Sequence, residues 1–171
     1  MKQGYFYIIK DEFFEKFTEM GCKFKYNKNA ARPTYCCFED TKHAGLFWAI
    51  PTGSISNKNL DRINEYIKYD ERDIRSCFYH IGYTNRKALF YISSAFPIID
   101  KYVEREYTTK GIPLQLKRIK IQNDVRKKLL KILTYENRFP NKLEPHITTI
   151  KSALLQELER TAEQNSKQEQ E

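Results

Sequence analysis

The chain has 171 residues, of which 40% are hydrophobic and 30% charged, and its formal net charge is +8. This length is typical of one folded domain with a substantial core. No apolar run approaches the roughly 20 residues of a membrane span, and no signal-peptide core follows the first residues, so a cytoplasmic protein is expected. The excess of Lys and Arg indicates a polyanionic partner, nucleic acid before anionic membrane.

The N-terminal segment predicts a strand, a short helix and a hairpin. The aromatic run at residues 5–9 predicts the first strand, and residues 11–20 predict a helix that packs through Phe13, Phe14 and Phe17 and ends at Gly21. Residues 34–39 and 46–50 predict two paired strands, because a turn of only about six residues containing Gly45 separates them.

A basic, Asn-rich loop at residues 23–33 precedes the hairpin and carries Phe24 and Tyr26. In a hairpin the start of one strand lies beside the end of the other. Arg32 and Pro33 are therefore expected next to residues 51–54. The loop also supplies candidate RNA contacts at Lys25, Lys28 and Asn29.

The segment from Ala49 to Lys58 combines a glycine, three hydroxyls and a lysine directly after an apolar run. A turn at Gly53 would present backbone N–H groups, which could bind a phosphate together with the lysine and the hydroxyls of Thr52, Ser54 and Ser56. The structural alternative is a strand end, a glycine turn and a helix over residues 59–68 that Ser56 or Asn57 caps.

The middle of the chain predicts further strands at residues 74–81 and 87–92, and a short strand or sheet edge at 98–102. Short strands joined by turns and short helices favour an antiparallel arrangement over βαβ winding. The predicted fold class is therefore α+β, with a highly curved antiparallel sheet or small barrel decorated with helices.

The C-terminal third predicts two helices, one from Pro113 to about Arg138 and one over residues 145–160. Residues 1–160 are expected to form a single domain, and the polar residues 161–171 a frayed tail. Residues 101–138 contain eleven Lys and Arg against four Asp and Glu. This stretch is either a solvated helix face or a surface for RNA phosphates, with contacts at Lys117, Arg118, Lys120 and Lys127.

The chemistry that the sequence favours is metal-independent RNA cleavage. No predicted strand carries an acidic pair, and the four cysteines form no CxxC pair, so neither a metal nor another cofactor is expected. In such a reaction the RNA supplies the 2′-OH nucleophile, and the protein orients the scissile phosphate, stabilises its charge and assists proton transfer. The candidate catalytic residues are Thr52, Ser54, Lys58, Tyr26 and Arg32.

The three histidines receive different interpretations. His80 lies in a predicted strand and could act as a general acid or base, although a structural histidine is the alternative. His43 and His146 are interpreted as structural. The 12 Tyr and 11 Phe are mostly expected in the core, but those beside Lys, Arg or Asn in loops could stack on the bases of single-stranded RNA.

Four segments of the chain, in this order and spacing, resemble the RNA-cleaving toxins of type III toxin–antitoxin systems, the group of ToxN, AbiQ, TenpN and CptN, and most of all the CptN branch. The resemblance covers roughly residues 4–155. Its segments are the aromatic strand at residues 5–9, the Tyr26-to-Tyr35 stretch, the Trp48-to-Ser54 stretch followed by Lys58, and the Lys87-to-Ile98 stretch.

This resemblance implies a sheet similar to that of the MazF and Kid toxins and a sequence-selective endoribonuclease that leaves a 2′,3′-cyclic phosphate. It also implies a role in abortive infection and phage defence. The implied partner is a repeated RNA antitoxin, folded as a pseudoknot, that the toxin processes and that inhibits it in a closed protein–RNA ring.

One departure from the family pattern leaves the residue roles open. Several relatives have Thr-Ser followed directly by Pro-Lys, whereas Gly53 separates Thr52 from Ser54 in this chain. The serine role could therefore fall to Ser54 or Ser56, and the lysine role to Lys58 or Lys28. The alternative function, from a different class, is a non-catalytic RNA-binding protein that uses the same basic, aromatic loop.

Overall fold

The structure, a computed structural model, describes residues 1–24 and 32–168, with the side chains at 57–59 and 165–168 left outside this description. Within these ranges the chain forms nine strands and four α-helices. The strands are β1 (Phe6–Ile9), β2 (Thr34–Glu39), β3 (Leu46–Ser54), β4 (Tyr79–Tyr83), β5 (Lys87–Tyr91), β6 (Phe96–Ile99), β7 (Val103–Glu106), β8 (Thr108–Thr109) and β9 (Ile112–Pro113). The helices are α1 (Asp11–Glu19), α2 (Asn57–Ile67), α3 (Ile119–Arg138) and α4 (Ile147–Gln168).

Seven strands form one antiparallel sheet in the order β4-β5-β3-β2-β1-β7, with β6 as a second partner of β3. The predicted hairpin of β2 and β3 is confirmed, with Thr34 opposite Pro51 and Tyr35 opposite Ile50. The sheet is not closed into a barrel. The α+β class and the antiparallel sheet are thus confirmed, whereas the described strands do not form the small barrel, one of the two predicted alternatives.

Strand β3 organises the sheet because it has different partners along its length. Its first half, Leu46 to Ala49, pairs with β6, whereas its second half, Thr52 to Ser54, pairs with β5. Ile92–Ser94 forms a 3₁₀ turn that connects these two partners on the same side of β3. The last residues of β3 therefore lie beside the first residues of β2 and β5.

Helices cover both faces of the sheet. On one face, Tyr35, Cys37 and Phe90 pack against the apolar side of α3 through Val125, Leu129 and Ile132. On the other face, Cys36, Phe47 and Phe96 pack against α1 and α4 through Phe13, Phe17, Ile150 and Leu154. Cys36 and Cys37 thus point into opposite cores, as expected for neighbours on a strand.

Several predicted elements have different boundaries in the structure. The predicted helix start at Pro113 is wrong. Residues 108–113 form a small hairpin around Lys110 and Gly111, both with positive φ (53° and 77°), and α3 begins at Ile119. The predicted strand over residues 74–81 is a 3₁₀ turn, Ile74–Cys77, followed by β4. Helix α4 extends beyond the predicted end at Arg160, through Gln168.

Candidate functional site

The ends of β2, β3 and β5 meet at a cavity of about 440 Å³, which we call the strand-end cavity. The described residues of its polar lining are two arginines, two serines, two threonines, an asparagine and two tyrosines, and no carboxylate is among them. These residues are Arg32, Thr52, Ser54, Ser56, Thr84, Asn85, Arg86, Tyr91 and Tyr107. Four chain segments that are distant in sequence therefore converge on one cationic, hydroxyl-rich cavity.

Thr52 connects the loop before β2 to the end of β3. It is only 2% exposed, its backbone N–H donates to the Pro33 carbonyl at 3.1 Å, and its hydroxyl donates to the same carbonyl. This pair of hydrogen bonds fixes Pro33 beside β3 and brings the neighbouring Arg32 to the cavity. The predicted approach of Arg32 and Pro33 to residues 51–54 is thus confirmed.

Gly53 lies within a strand, so the predicted phosphate-binding turn at this residue is wrong. It pairs with Leu89 of β5, so its backbone lies in the sheet and does not form a turn. A Cβ at this position would lie 2.9 Å from the Tyr91 ring. Glycine is therefore required for the close approach of Tyr91, which lines the cavity.

The turn between β4 and β5 forms another side of the cavity. Arg86 is exposed, and the described residues include no ion-pair partner for it. Asn85 Nδ2 donates to Thr109 Oγ1 at 3.3 Å, which ties this turn to the small β8–β9 hairpin. Tyr107, at the base of that hairpin, also lines the cavity, so the hairpin and the turn frame it together.

Sequence reasoning missed Thr84, Asn85, Arg86, Tyr91 and Tyr107 as parts of this cavity. Arg86 and Asn85 are typical of a turn and carry no local signal of function. They reach the cavity only because β5 pairs with the second half of β3, with Ser54 opposite Ala88. This long-range pairing is not visible in the local pattern.

His80 lies outside the strand-end cavity. It pairs with Phe90, which in turn pairs with Thr52, so two strand spacings, about 10 Å, separate His80 from Thr52. The fully buried Phe90 ring lies between them. Burial and the positive charge of Lys128 lower the pKa of His80, and the charge of Asp124 opposes them only in part. The lowered pKa favours a neutral imidazole at pH 7.

His43 has a structural environment, as predicted. Its Nδ1 lies 2.9 Å from Asp40 Oδ1, and Asp40 Oδ2 accepts from Trp48 Nε1 and from Lys151 Nζ, each at 3.0 Å. Burial opposes ionisation of Asp40, but the hydrogen bonds from His43, Lys151, Lys42 and Trp48 prevail and hold its pKa well below the usual range. This network joins the β2–β3 turn to α4.

Several predicted site residues fall outside the described part of the chain. Tyr26, Lys25, Lys28 and Asn29 lie in the stretch 25–31, and for Lys58 only the backbone, in the first turn of α2, is described. Ser56, directly before α2, lines the strand-end cavity. The choice between Ser54 and Ser56 therefore stays open, since the cavity contains both.

The predicted basic surface has two parts in the structure. Lys117, Arg118 and Lys120 are exposed around the start of α3, where the Arg118 guanidinium lies 5.5 Å from the Tyr83 ring centre. Lys127 lies farther along the helix, in a groove of about 800 Å³ between α3 and residues 71–77, which we call the α3 groove. Its other basic residues are Arg72, Arg126, Lys131 and Arg138.

The described part of the chain contains neither a cluster of metal ligands nor a membrane-spanning helix. Over residues 1–24 and 32–168, no group of three or more His, Cys, Asp or Glu side chains is placed to hold a metal ion. Burial raises the pKa of the Cys36 and Cys37 thiols to about 12, so both stay protonated at neutral pH. Among the helices that the structure describes, none has the length and apolarity to cross a membrane.

Comparison with known proteins adds no assignment. A scan against protein-family models gives no matching family, and a search of curated proteins gives no match. A function for this protein therefore has to rest on the chemistry of the strand-end cavity and the α3 groove.

Proposed function

We propose that this protein is a metal-independent, sequence-selective endoribonuclease toxin of a type III toxin–antitoxin system. The observation that carries the proposal is the composition of the strand-end cavity. Arg32 and Arg86 line it together with several hydroxyls, and no carboxylate is among the lining residues that the structure describes. Such a lining favours a phosphodiester, since guanidinium groups bind phosphate oxygens with paired hydrogen bonds and no acidic group repels the ligand.

In the proposed reaction the scissile phosphate binds between the two arginines. The 2′-OH of the RNA attacks the phosphorus, the bond to the 5′-oxygen breaks, and a 2′,3′-cyclic phosphate is formed. The extra negative charge of the transition state is stabilised by Arg32 and Arg86, which is the largest contribution expected from the protein. The hydroxyls of Ser54 and Ser56 orient the phosphate for in-line attack.

Binding of a nucleoside beside this phosphate is supported by the aromatic part of the lining. Tyr107 is partly exposed and adjoins the exposed Asn85 side of the cavity. An aromatic ring can stack on an unpaired base, and an asparagine can read its hydrogen-bonding edge. Selectivity for a short single-stranded sequence follows from these two contacts.

Proton transfer is assigned to groups other than His80 in this proposal. Within the described part of the chain, the lining contains no histidine, and the hydroxyls of Tyr91 and Tyr107 are its titratable groups besides the arginines. Lys58 is the second residue of α2, two residues after Ser56, and remains the proposed lysine of the site, with Lys28 as the alternative. Thr52 is a positioning residue, because its hydroxyl donates to Pro33.

The proposed partner is a pseudoknot RNA antitoxin with repeated units that the toxin processes and that closes a protein–RNA ring. The α3 groove supports an extended RNA contact, because its five basic side chains outnumber its acidic Glu71 and Asp73. Asp73 is moreover paired with Arg75, at 2.6 Å. Phosphate contacts along this groove would add affinity without sequence information.

The α3 groove also favours the second candidate function, a non-catalytic RNA-binding protein. A groove with Arg72, Arg126, Lys127, Lys131 and Arg138 can bind RNA whether or not the strand-end cavity cleaves it. The two functions differ in their products rather than in their affinity.

A cleavage assay in EDTA separates the two functions. Purified protein is incubated with a pool of single-stranded RNAs in excess EDTA, and the product ends are analysed by mass spectrometry. We expect discrete cleavage with 2′,3′-cyclic phosphate and 5′-hydroxyl ends. Binding without any cleavage in this assay would contradict the enzyme and support the RNA-binding protein.

A further inference from the structure

A separate cavity of about 350 Å³ lies between α3 and the segment that leads into β4. Three lysines, Lys127, Lys128 and Lys131, line it together with His80 and outnumber the two carboxylates of the lining, Glu71 and Asp124. The proposed cleavage step uses none of the three lysines. We propose that Lys128 is a modification site whose side-chain amine is acylated by small acyl phosphates, such as acetyl phosphate. This inference is independent of the proposed ribonuclease function.

The position of the Lys128 amine distinguishes it from its neighbours. Its Nζ donates to the backbone carbonyl of Tyr79 at 2.7 Å, and its side chain is half-buried. Among the described residues, no carboxylate lies within ion-pair distance of this amine. Lys131 is instead exposed and donates to the Glu71 carbonyl at 3.2 Å.

The electrostatic surroundings of Lys128 favour its reactive, uncharged form. Burial lowers the pKa of Lys128, Cys77 and Asp124 oppose this effect, and the charge of Lys131 adds to it. The neutral amine is the nucleophile, and lysines that are desolvated beside other cations are the ones that react near neutral pH.

The other lysines of the cavity can bring the reagent to this amine. Lys127 and Lys131 are exposed at the same cavity, where their ammonium groups can bind the phosphate of an acyl phosphate. A volume of 350 Å³ is at the lower end of ligand pockets, which span about 300–1,000 Å³, and suits a molecule smaller than a nucleotide.

The acylation step balances without a further reactant. The Lys128 lone pair attacks the acyl carbon, a C–N bond forms, and the bond between the acyl carbon and the phosphate oxygen breaks. Inorganic phosphate leaves with the bonding electrons, and the amine loses one proton to solvent. The resulting amide keeps an N–H that can donate to the Tyr79 carbonyl, while the half-buried charge is removed. The fold therefore accommodates the product.

The test is site-resolved acetylation of the full chain. Protein is incubated with acetyl phosphate at pH 7.5, and the acetylated fraction of each lysine is followed by peptide mass spectrometry. Since a lowered pKa increases the neutral fraction of the amine, we expect Lys128 to react several-fold faster than the exposed Lys117 and Lys120. Equal rates at these three lysines would overturn the proposal.

A second reagent and a double variant test the role of the phosphate. Lys127→Ala/Lys131→Ala should slow acetylation of Lys128 by acetyl phosphate several-fold, and should leave its reaction with the uncharged N-acetoxysuccinimide much less affected. Recruitment through phosphate would be contradicted if the double variant slowed the two reactions of Lys128 equally. It would also be contradicted if, in the wild-type protein, Lys128 exceeded the exposed lysines no more with acetyl phosphate than with N-acetoxysuccinimide. Circular dichroism of the double variant verifies that both reactions are measured on folded protein.

Discussion

The strand-end cavity and the α3 groove are both cationic, but they differ in how the charge is arranged. The cavity brings Arg32 and Arg86 together from distant segments, and its described lining residues include no carboxylate. The α3 groove takes most of its charge from one helix, and Glu71 and Asp73 lie among its basic residues. The first arrangement suits stabilisation of charge at one phosphate, whereas the second suits binding of several phosphates along a strand.

Because of this difference, we expect the strand-end cavity to determine the cleavage rate and the α3 groove to determine the affinity for RNA. Charge that is fixed around one phosphate acts on the transition state, whereas charge along a helix acts equally on substrate and transition state. Variants of the two regions should therefore affect different measurements.

The largest effect is expected from the two arginines of the strand-end cavity. Arg32→Ala and Arg86→Ala should each reduce cleavage about 100- to 1,000-fold, because each removes a group that stabilises the transition state in the proposed reaction. Induced expression of either variant in bacteria should no longer arrest growth. The matched control is Lys87→Ala, since Lys87 is exposed beside Arg86 but does not line the cavity. Wild-type toxicity of both arginine variants would show that the cavity is not the active site.

A smaller effect is expected for the hydroxyl of Thr52. Thr52→Val keeps the shape of the side chain and the backbone hydrogen bond but removes the hydrogen bond from the hydroxyl to Pro33. The free energy of unfolding, measured in denaturant, should fall by about 1 kcal/mol. Cleavage should fall less than about tenfold, because the hydroxyl positions the loop and Arg32 retains its charge. Thr52→Ser should recover most of the cleavage rate. A 1,000-fold loss in Thr52→Val at unchanged stability would instead make this hydroxyl catalytic.

The basic surface of α3 should change affinity and its salt dependence. Lys117→Gln/Lys120→Gln should weaken RNA binding and reduce the slope of log K against log salt by up to about 0.7 for each phosphate that the variant no longer neutralises. The cleavage rate at saturating RNA should stay within about twofold of wild type. An unchanged slope in fluorescence anisotropy titrations would exclude these two lysines from the RNA interface.

The smallest effect is expected for His80. Its pKa is lowered by burial and by Lys128, so a catalytic His80 would be a base whose activity rises with pH through that lowered pKa and then levels off. Because His80 lies away from the strand-end cavity, we expect His80→Gln to keep the cleavage rate within about threefold and to leave the pH profile unchanged. If the cleavage rate of the wild type fell at low pH and that of His80→Gln did not, His80 would be assigned as the general base.

The parts of the fold that could be predicted from sequence are those with strong local signals. The bounds of β2 were predictable because an apolar run meets Pro33 and the Asp40-to-Gly45 turn, and those of α1 because Gly21 follows an amphipathic stretch. The Lys110-Gly111 hairpin was missed because Pro113 also suits the first turn of a helix, and a lysine with positive φ is rare.

The candidate site was predictable only in part, for a similar reason. Arg32, Thr52 and Ser54 were found because they lie at the two ends of a single hairpin, where pairing of neighbouring strands determines their proximity. Arg86 and Tyr107 reach the same cavity through the β3–β5 pairing and through the β8–β9 hairpin. His80 was selected by its residue type and its place in a predicted strand, and neither shows that Phe90 pairs between it and Thr52.

The most direct test compares Arg86→Ala and Lys127→Ala in a single experiment. The dissociation constant for a cleavable RNA and the single-turnover cleavage rate at saturating protein are measured for each, in EDTA. We expect Arg86→Ala to lose at least about 100-fold in rate with a modest change in affinity, and Lys127→Ala to lose affinity at nearly full rate. The reverse pattern would contradict the assignment of catalysis to the strand-end cavity and of RNA binding to the α3 groove.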